Sequence, residues 1–322
     1  MVAANDPETA RDALAGLAKY EQAERPPPPN PLPQLAGVGG ACLRDHGGSG
    51  PPALLIPSLI NPPNILDLDR QTSLAGAVSR MGRRVVLLDW GSAEGRSDLS
   101  IADHMTELLV PLIAEIGEPP ALIGYCLGGT MAIAAAGLAP VERLVTLAAP
   151  WHFSNYPAES RATLQQLWAN TGATAERLGA LPMEVLQGAF WSLDPQRTVR
   201  KFAEFAALEL DSEAAARFVM LEDWANDGEP LPFPAARELL EDLFGADHPG
   251  RGEWQVGGRP VDDRPSVPTL HCTASRDRIT PAATAAAGPS EQIAAGHVGM
   301  VIGSARTQLH AHLRAFLDPA CR

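Results

Sequence analysis

The sequence has 322 residues and a formal net charge of −13, with 45% hydrophobic and 20% charged residues. This length accommodates one large α/β domain with an inserted subdomain, and the composition is that of an ordinary globular protein. An acidic chain without a basic run argues against nucleic acid and anionic membranes as partners, and no apolar run reaches the about 20 residues of a membrane-spanning helix.

The N-terminal residues predict one helix followed by a linker. Asp6 is a capping residue, Pro7 suits a first helical turn, and the pattern ends before the four prolines at 26–29. Four consecutive prolines have no amide hydrogens to donate, so they predict an extended segment. We assign residues 1–50 to this helix and the proline-rich linker. The first residues lack the basic start and apolar core of a signal peptide.

From residue 53 onward, predicted strands alternate with predicted helices. Apolar runs at 53–57, 83–90, 120–123 and 141–147 predict buried strands, and helices are predicted around 73–78 and at 101–116. A strand at 267–274 and a last helix at 305–317 return to the same pattern. Such alternation is typical of a doubly wound, mostly parallel sheet.

The stretch between the last two predicted strands has a different character. It is helical in pattern and rich in Trp and Phe. An insertion of this kind is the usual cap over an α/β-hydrolase sheet, where the substrate is selected. The predicted fold is therefore the α/β-hydrolase fold, with a core at 51–150 and 266–322 and a helical cap subdomain at 151–265.

The run G-Y-C-L-G-G at 124–129 lies between a predicted strand and a helix of small residues. Glycines two before and two after Cys126 make this a nucleophile elbow with cysteine where serine usually stands. The helix directs its N-terminal amides at an oxyanion beside the sulfur. We expect one oxyanion donor from the amide of Leu127 and a second from the loop after strand 53–57, near Ile60. A cysteine at this position predicts acyl transfer through a thioester.

An elbow nucleophile needs an acid and a base, which follow it along the chain in the order Asp, His. Asp277 follows the strand at 267–274, and His297 lies on a glycine-flanked loop before the last helix. His297 would take the proton of Cys126, and Asp277 would fix the imidazole tautomer.

Each of the three residues has a structural alternative. A buried cysteine is often a core residue, an aspartate at a strand end can cap the next turn, and a single histidine is often only a satisfied polar group. Their order and their positions at element ends favour a catalytic triad.

The four cysteines give no sign of a metal or redox site. Their positions, 42, 126, 272 and 321, show no C-x-x-C spacing, and we expect neither a metal nor a cofactor. A reducing cytoplasm would keep a catalytic thiol free, and we expect the protein there.

Six motifs together resemble the polyhydroxyalkanoate synthases. They are the cysteine elbow at 124–130, the segment 57–68 ending in I-L-D-L, the strand 86–91 ending in D-W-G, the cap segment W-A-N-D-G at 224–228, the acid motif D-R-I-T-P at 277–281 and the base motif G-H-V-G at 296–299. The resemblance extends over about residues 53–303.

This resemblance implies an enzyme that polymerises (R)-3-hydroxyacyl groups from coenzyme A thioesters. Its partners would be the 3-hydroxyacyl-coenzyme A, the growing polyester chain, and either a second copy joined through the cap or a partner subunit. It would work in the cytoplasm, at the surface of polyester granules. Asn61, Trp151 and Trp224 are the candidates for substrate binding.

The chain departs from the family pattern in several features: the region before residue 50 is shorter than in the longer synthases, the cap motif matches with altered spacing, and two further departures bear on the site. The stretch between Asp277 and His297 leaves room only for a short helix at 282–288. The acidic chain does not attract the coenzyme A phosphates, so a local basic patch is required. The candidates for this patch, each of which could instead form a surface salt bridge, are Arg83, Arg84, Arg276 and Arg278.

Two other functions use the same residues. A thioesterase or an intracellular polyester depolymerase would let water reach the acyl-cysteine, and the elbow and triad would serve it equally well. A non-catalytic, granule-associated relative is the third reading, and the retention of Cys126, Asp277 and His297 together counts against it.

Overall fold

The structure of the protein is a computed structural model that describes residues 6–25, 27, 30–192 and 195–318. The described residues form two compact units. The first comprises the described residues of Met1–Pro31 with Glu184–Gly228, and the second those of Leu32–Met183 with Glu229–Arg322.

The second unit is built on a sheet of eight strands. In chain order these are β1 (Gln34–Val38), β2 (Ala41–Gly47), β3 (Pro52–Ile56), β4 (Arg84–Asp89), β5 (Ala121–Tyr125), β6 (Arg143–Leu147), β11 (Thr269–Ala274) and β12 (Ser290–Ile293). Their order in the sheet is β1-β2-β4-β3-β5-β6-β11-β12. The first three pair antiparallel, and every pair from β4 to β12 is parallel. Two small two-stranded sheets complete the strands: β7 (Ala180–Leu181) with β8 (Leu231–Pro232), and β9 (Gln255–Val256) with β10 (Arg259–Pro260).

The helices of the second unit follow the strands in chain order. They are α2 (Leu74–Ser79), α3 (Ile101–Asp103), a π-helical stretch (His104–Leu109), α4 (Val110–Glu115), α5 (Leu127–Ala136), α6 (Ala158–Leu178), α10 (Phe233–Arg237), a second π-helical stretch (Glu238–Leu243), α11 (His248–Arg251), α12 (Gly299–Ile302) and α13 (Arg306–Leu317). Short 3-10 turns lie at Pro63–Asp67, Glu94–Arg96, Phe153–Asn155 and Ala282–Thr284.

The first unit is helical. It contains α1 (Pro7–Gln22), most of α7 (Met183–Ser192), α8 (Pro195–Ala206) and α9 (Glu213–Asn226). Asp6 caps α1 by accepting a hydrogen bond from the amide of Thr9, as the sequence predicts. The unit has its own small core, in which the Phe205 and Phe218 rings stack with centroids 4.2 Å apart.

The structure confirms the predicted fold class, a mostly parallel doubly wound sheet with a helical insertion between β6 and β11. Every residue of β3, β5 and β6 is buried, which explains why these strands are continuous apolar runs in the sequence. The predicted domain boundaries remain predictions. Of the four prolines at 26–29, all but Pro27 lie outside the described residues.

Two predictions of local structure are wrong. Residues 1–50 contain more than a helix and a linker, because β1 and β2 form an antiparallel pair that extends the sheet at one edge. The helix predicted at 282–288 is only a 3-10 turn over Ala282–Thr284, and β12 follows it. Pro281 and Pro289 bracket this stretch, and the backbone that follows it pairs parallel to β11 as β12.

Arg83 is not part of a basic patch for coenzyme A. Its side chain is fully buried, and its guanidinium pairs with Glu142 and donates to the carbonyl of Leu317 at the end of α13. Arg84 is 38% exposed and pairs with Asp45 at 2.7 Å. Arg276 and Arg278 are exposed beside the acid loop, where they remain candidates for binding phosphate.

Candidate active site

Cys126 stands in a strained turn between β5 and α5. Its φ of 55° and ψ of −130° are unusual for a residue with a side chain and are the geometry of a nucleophile elbow. A Cβ on Gly124 would lie 2.5 Å from the carbonyl oxygen of Gly128, so only glycine fits where strand and helix meet. The turn leaves Cys126 partly exposed at the helix N-terminus, while α5 itself is buried along its whole length.

His297 and Asp277 come together at the carboxyl end of the sheet. Asp277 follows β11, and its Oδ2 lies 2.7 Å from Nδ1 of His297. The other carboxylate oxygen accepts the amides of Ile279 and Thr280, each at 2.8 Å. The two readings of Asp277 from the sequence therefore describe one carboxylate, which caps its own turn with one oxygen and binds the imidazole with the other.

His297 is electrostatically coupled to both of the other residues. Burial is the largest single influence on the pKa of His297 and lowers it, but the negative charges of Cys126 and Asp277, and hydrogen bonds to both, raise it to about 10. The structure thus brings Cys126, Asp277 and His297 into one interacting group, with the imidazole between the sulfur and the carboxylate. Such a group can move a proton between a thiol and an imidazole.

Tyr125 contacts His297 through both its ring and its hydroxyl group. Its ring centroid is 5.0 Å from the imidazole centroid, and its hydroxyl donates to the backbone carbonyl of His297 at 3.4 Å. Burial, and then the charges of Cys126 and Asp277, raise the pKa of Tyr125, so the phenol stays neutral. The elbow motif contains this tyrosine, and no role was predicted for it from the sequence, although its place next to Cys126 was a usable signal.

Tyr156 is a second neighbour that the sequence analysis missed. Its pKa is raised by burial first and then by the charge of Cys126, which shows that its phenol lies within electrostatic reach of the sulfur. Its ring packs against Phe244 with centroids 4.9 Å apart. No motif marks this residue, which lies in the segment that leads from β6 into α6.

The predicted oxyanion donors lie on two adjacent elements. Leu127 is the first residue of α5, where an amide has no carbonyl partner within the helix. Ile60 lies in the loop after β3, and its amide donates to the Oγ of Ser58 at 3.3 Å, a long bond. Their role as oxyanion donors remains a prediction.

The predicted substrate-binding residues are more scattered. Asn61 lies partly exposed in the loop after β3, next to Ile60. Trp151 is 1% exposed and packs edge to face on Trp254, with ring centroids 5.8 Å apart. Trp224 lies in α9 of the first unit and is buried there. The binding of substrate by these residues remains a prediction.

Two of the motif aspartates have structural partners. Asp67, in the I-L-D-L segment, accepts from the hydroxyl of Ser73 at 2.5 Å and lies 3.4 Å from Nε2 of His46. Asp89, in D-W-G, pairs with Arg44 at 3.1 Å. These carboxylates connect β2 to α2 and β4.

Comparison with known proteins agrees with this architecture. Residues 44–309 match the model of the alpha/beta hydrolase family. The Poly(3-hydroxyalkanoate) polymerase subunit PhaC of Haloferax mediterranei is 27% identical over 79% of this chain and 55% of its own length. The protein of the same name from Synechocystis sp. is 27% identical over 78% of this chain and 73% of its own. The resemblance to polyhydroxyalkanoate synthases is thereby confirmed, and the chain spans little more than half the length of the Haloferax relative.

Solved structures share the fold. A non-heme bromoperoxidase named BpoC from Mycobacterium tuberculosis has a TM-score of 0.54 at 14% identity, covering 87% of this chain and 96% of its own. A meta-cleavage product hydrolase from Pseudomonas fluorescens has a TM-score of 0.51 at 15% identity, covering 90% and 98%. Among the described residues, no helix has the length and apolar character to cross a membrane.

Proposed function

We propose that this chain, which belongs to the alpha/beta hydrolase family, is a cysteine-dependent acyltransferase of the polyhydroxyalkanoate synthase type. One observation carries the proposal: a cysteine occupies the elbow of a hydrolase fold and is coupled to a buried His–Asp pair. The names of the relatives give a poly(3-hydroxyalkanoate) as the polymer. The substrate that the family resemblance implies is an (R)-3-hydroxyacyl-coenzyme A.

In the first step the acyl group moves to the enzyme. The raised pKa of His297 favours the form in which the imidazole holds the proton of Cys126. The sulfur attacks the thioester carbonyl, the bond to the coenzyme A sulfur breaks, and the imidazolium returns its proton to that leaving thiolate. The amides of Leu127 and Ile60 would stabilise the oxyanion that forms in between.

In the second step the acyl group moves to a hydroxyl. Neutral His297 takes the proton of a 3-hydroxyl group, the oxygen attacks the acyl-cysteine carbonyl, and the Cys126 sulfur leaves and regains a proton. The new bond is an ester, and the chain grows by one unit. A thioester intermediate suits this step because it keeps the acyl group activated. We place this reaction at the polyester surface in the cytoplasm.

The identity of the acceptor decides between a synthase and a hydrolase. Water in place of the hydroxyl would release free hydroxy acid. Purified protein supplied with (R)-3-hydroxybutyryl-coenzyme A, with thiol release and product size followed together, separates the two. We expect thiol release with growing polymer, whereas monomeric hydroxy acid alone would assign the hydrolase function.

Two cysteine variants control this assay. Cys126→Ala should abolish thiol release, because no other described cysteine lies in an elbow. Cys42→Ala removes a buried thiol on β2 and should leave the rate unchanged. An intact rate in Cys126→Ala would overturn the proposal.

A further inference from the structure

The loop that carries Ile60 leaves β3 at Pro57. The backbone at Pro57 is contacted from two sides. On one side, the first turn of α5 packs directly on it, since a Cβ added to Gly128 would collide with the carbonyls of Ile56 and Pro57. On the other side, the indole Nε1 of Trp90 donates to the Pro57 carbonyl at 3.1 Å. Trp90 follows β4, the strand next to β3. The hydrogen bond therefore fixes the start of the loop relative to the sheet.

Trp90 itself is held by a buried polar network. It is 4% exposed, and its ring meets the His104 ring edge to face, with centroids 5.8 Å apart. The Nδ1 of His104 lies 2.6 Å from the carbonyl of Ser100, so this nitrogen carries the proton and Nε2 accepts from Arg96 at 3.1 Å. His104 and Arg96 are both buried. An indole packed this firmly has one orientation for its N–H.

The position of the Ile60 amide depends on the backbone that leads to it. The amide of Ile60 makes only the 3.3 Å bond to Ser58, whereas an oxyanion donor must stay within hydrogen-bond distance of the reacting oxygen. Two residues, Ser58 and Leu59, separate the fixed Pro57 carbonyl from that amide. A shift at Pro57 therefore moves the donor.

We propose that Trp90 is a positioning residue, which holds the backbone after β3 so that the amide of Ile60 faces the oxyanion formed at Cys126. This inference rests on the proposed acyl transfer. It assigns a role in the reaction to a side chain that touches neither substrate nor nucleophile.

The test compares two reactions of the same thiol. Acylation by (R)-3-hydroxybutyryl-coenzyme A passes through an oxyanion, whereas alkylation of Cys126 by iodoacetamide does not. In Trp90→Phe, which keeps an aromatic ring against His104 and loses the N–H, we expect acylation to slow by about tenfold or more through kcat, with KM nearly unchanged. The alkylation rate should stay at the wild-type value.

Two further variants make the result decisive. β-(3-Benzothienyl)alanine at position 90 has sulfur in place of the indole N–H and the same shape, so it should reproduce the acylation defect with an unchanged melting temperature. Trp168→Phe removes another indole N–H, which donates to Glu241 at 2.7 Å, and should leave both rates unchanged.

Equal acylation rates in wild type and both position-90 variants would overturn the inference. So would a parallel loss of acylation and alkylation, because that would indicate general damage to the site. Failure of the wild-type protein to react with any hydroxyacyl thioester would instead refute the proposed function, and the two failures are thus distinguishable.

Discussion

At the scale of single residues, the site depends on one imidazole between two negative charges. His297 is 8% exposed, binds Asp277 at 2.7 Å and is coupled to Cys126. An imidazolium in this position is stabilised by both neighbours, whereas burial alone would favour the neutral ring. The charge state of His297 therefore depends on Cys126 as well as on Asp277.

Removal of the Asp277 charge should cripple the reaction. Asp277→Asn keeps the side-chain shape but loses the charge and can present its amide to Nδ1, which favours the wrong tautomer. We expect thiol release to fall by about 10²- to 10⁴-fold. Glu291→Gln is the matched control, since Glu291 faces His312 at 3.6 Å on the surface, and its rate should equal that of the wild type. A loss below about threefold in Asp277→Asn would contradict the assigned role.

The pKa of His297 predicts a pH dependence of stability. Its folded-state value of about 10 lies above the ordinary value of 6.5, so the stabilisation is complete below about pH 6.5 and is lost as pH rises toward 10. Urea unfolding of the wild type should therefore show stability that falls across this range relative to His297→Gln. Nitrogen NMR of His297 should also show it titrating at lower pH in Cys126→Ala. An unchanged titration would mean that the sulfur carries no charge.

The sequence predicted these residues better than their surroundings. Cys126, Asp277 and His297 were found because each lies at an element end within a recognisable motif. The turn-capping role of Asp277 was predicted as its structural alternative, whereas Tyr125 and Tyr156 were not found as contributors. Their roles arise from contacts between segments far apart in the chain, and such contacts leave no local pattern.

At the scale of elements, the turn between β5 and α5 is the connection that packing restricts most clearly. Its glycines allow α5 to pack on the carbonyls that end β3, so the nucleophile and the loop of Ile60 lie side by side. The same contact limits which substitutions this turn tolerates. Even one methyl group at Gly128 must displace backbone atoms, which cannot rotate away as a side chain can.

Gly128→Ala should therefore destabilise the protein by about 1–3 kcal/mol, the cost of forcing an extra methyl into a packed core. Urea denaturation measures this loss. Gly137→Ala, at the other end of α5, places its methyl 3.4 Å from the carbonyl of Ala134 and should change stability by less than about 0.5 kcal/mol. Equal stability of the two variants would show that this turn can accommodate a methyl group for which the structure shows no space.

Two of the strands missed from the sequence share a physical reason. β1 and β12 lie at the two edges of the sheet, and most of their residues are exposed or half-buried. Without a buried face they show no apolar periodicity, and their pairing with a neighbour is what makes them strands. The central strands, buried on both faces, were predicted within a few residues.

At the scale of the whole molecule, contacts between residues far apart in the sequence hold each unit together. In the second unit, the end of α13 is held by Arg83, which donates to the Leu317 carbonyl, and by Arg143, which donates to the Phe316 carbonyl. In the first unit, Tyr20 of α1 donates to Asp223 of α9 at 2.6 Å. Neither grouping follows from local sequence, so the composition of the two units could not be predicted.

Substitutions of the neighbouring Arg83 and Arg84 test how much the contacts at the end of α13 contribute to stability. Arg83→Met removes a buried guanidinium and leaves Glu142 and the Leu317 carbonyl without it, so we expect a loss of about 3 kcal/mol in unfolding free energy. Arg84→Met removes a partly exposed ion pair with Asp45 and should cost less than about 1 kcal/mol. Chemical denaturation measures the loss of unfolding free energy in both variants. Equal losses would contradict this account.

The central claim is that Cys126 carries the acyl group between coenzyme A and a hydroxyl. Mass spectrometry of protein quenched in acid during reaction with (R)-3-hydroxybutyryl-coenzyme A tests it most directly. The account predicts a hydroxybutyryl adduct on the peptide that contains Cys126. Thiol release without an adduct at any time, or an adduct on another residue, would contradict it.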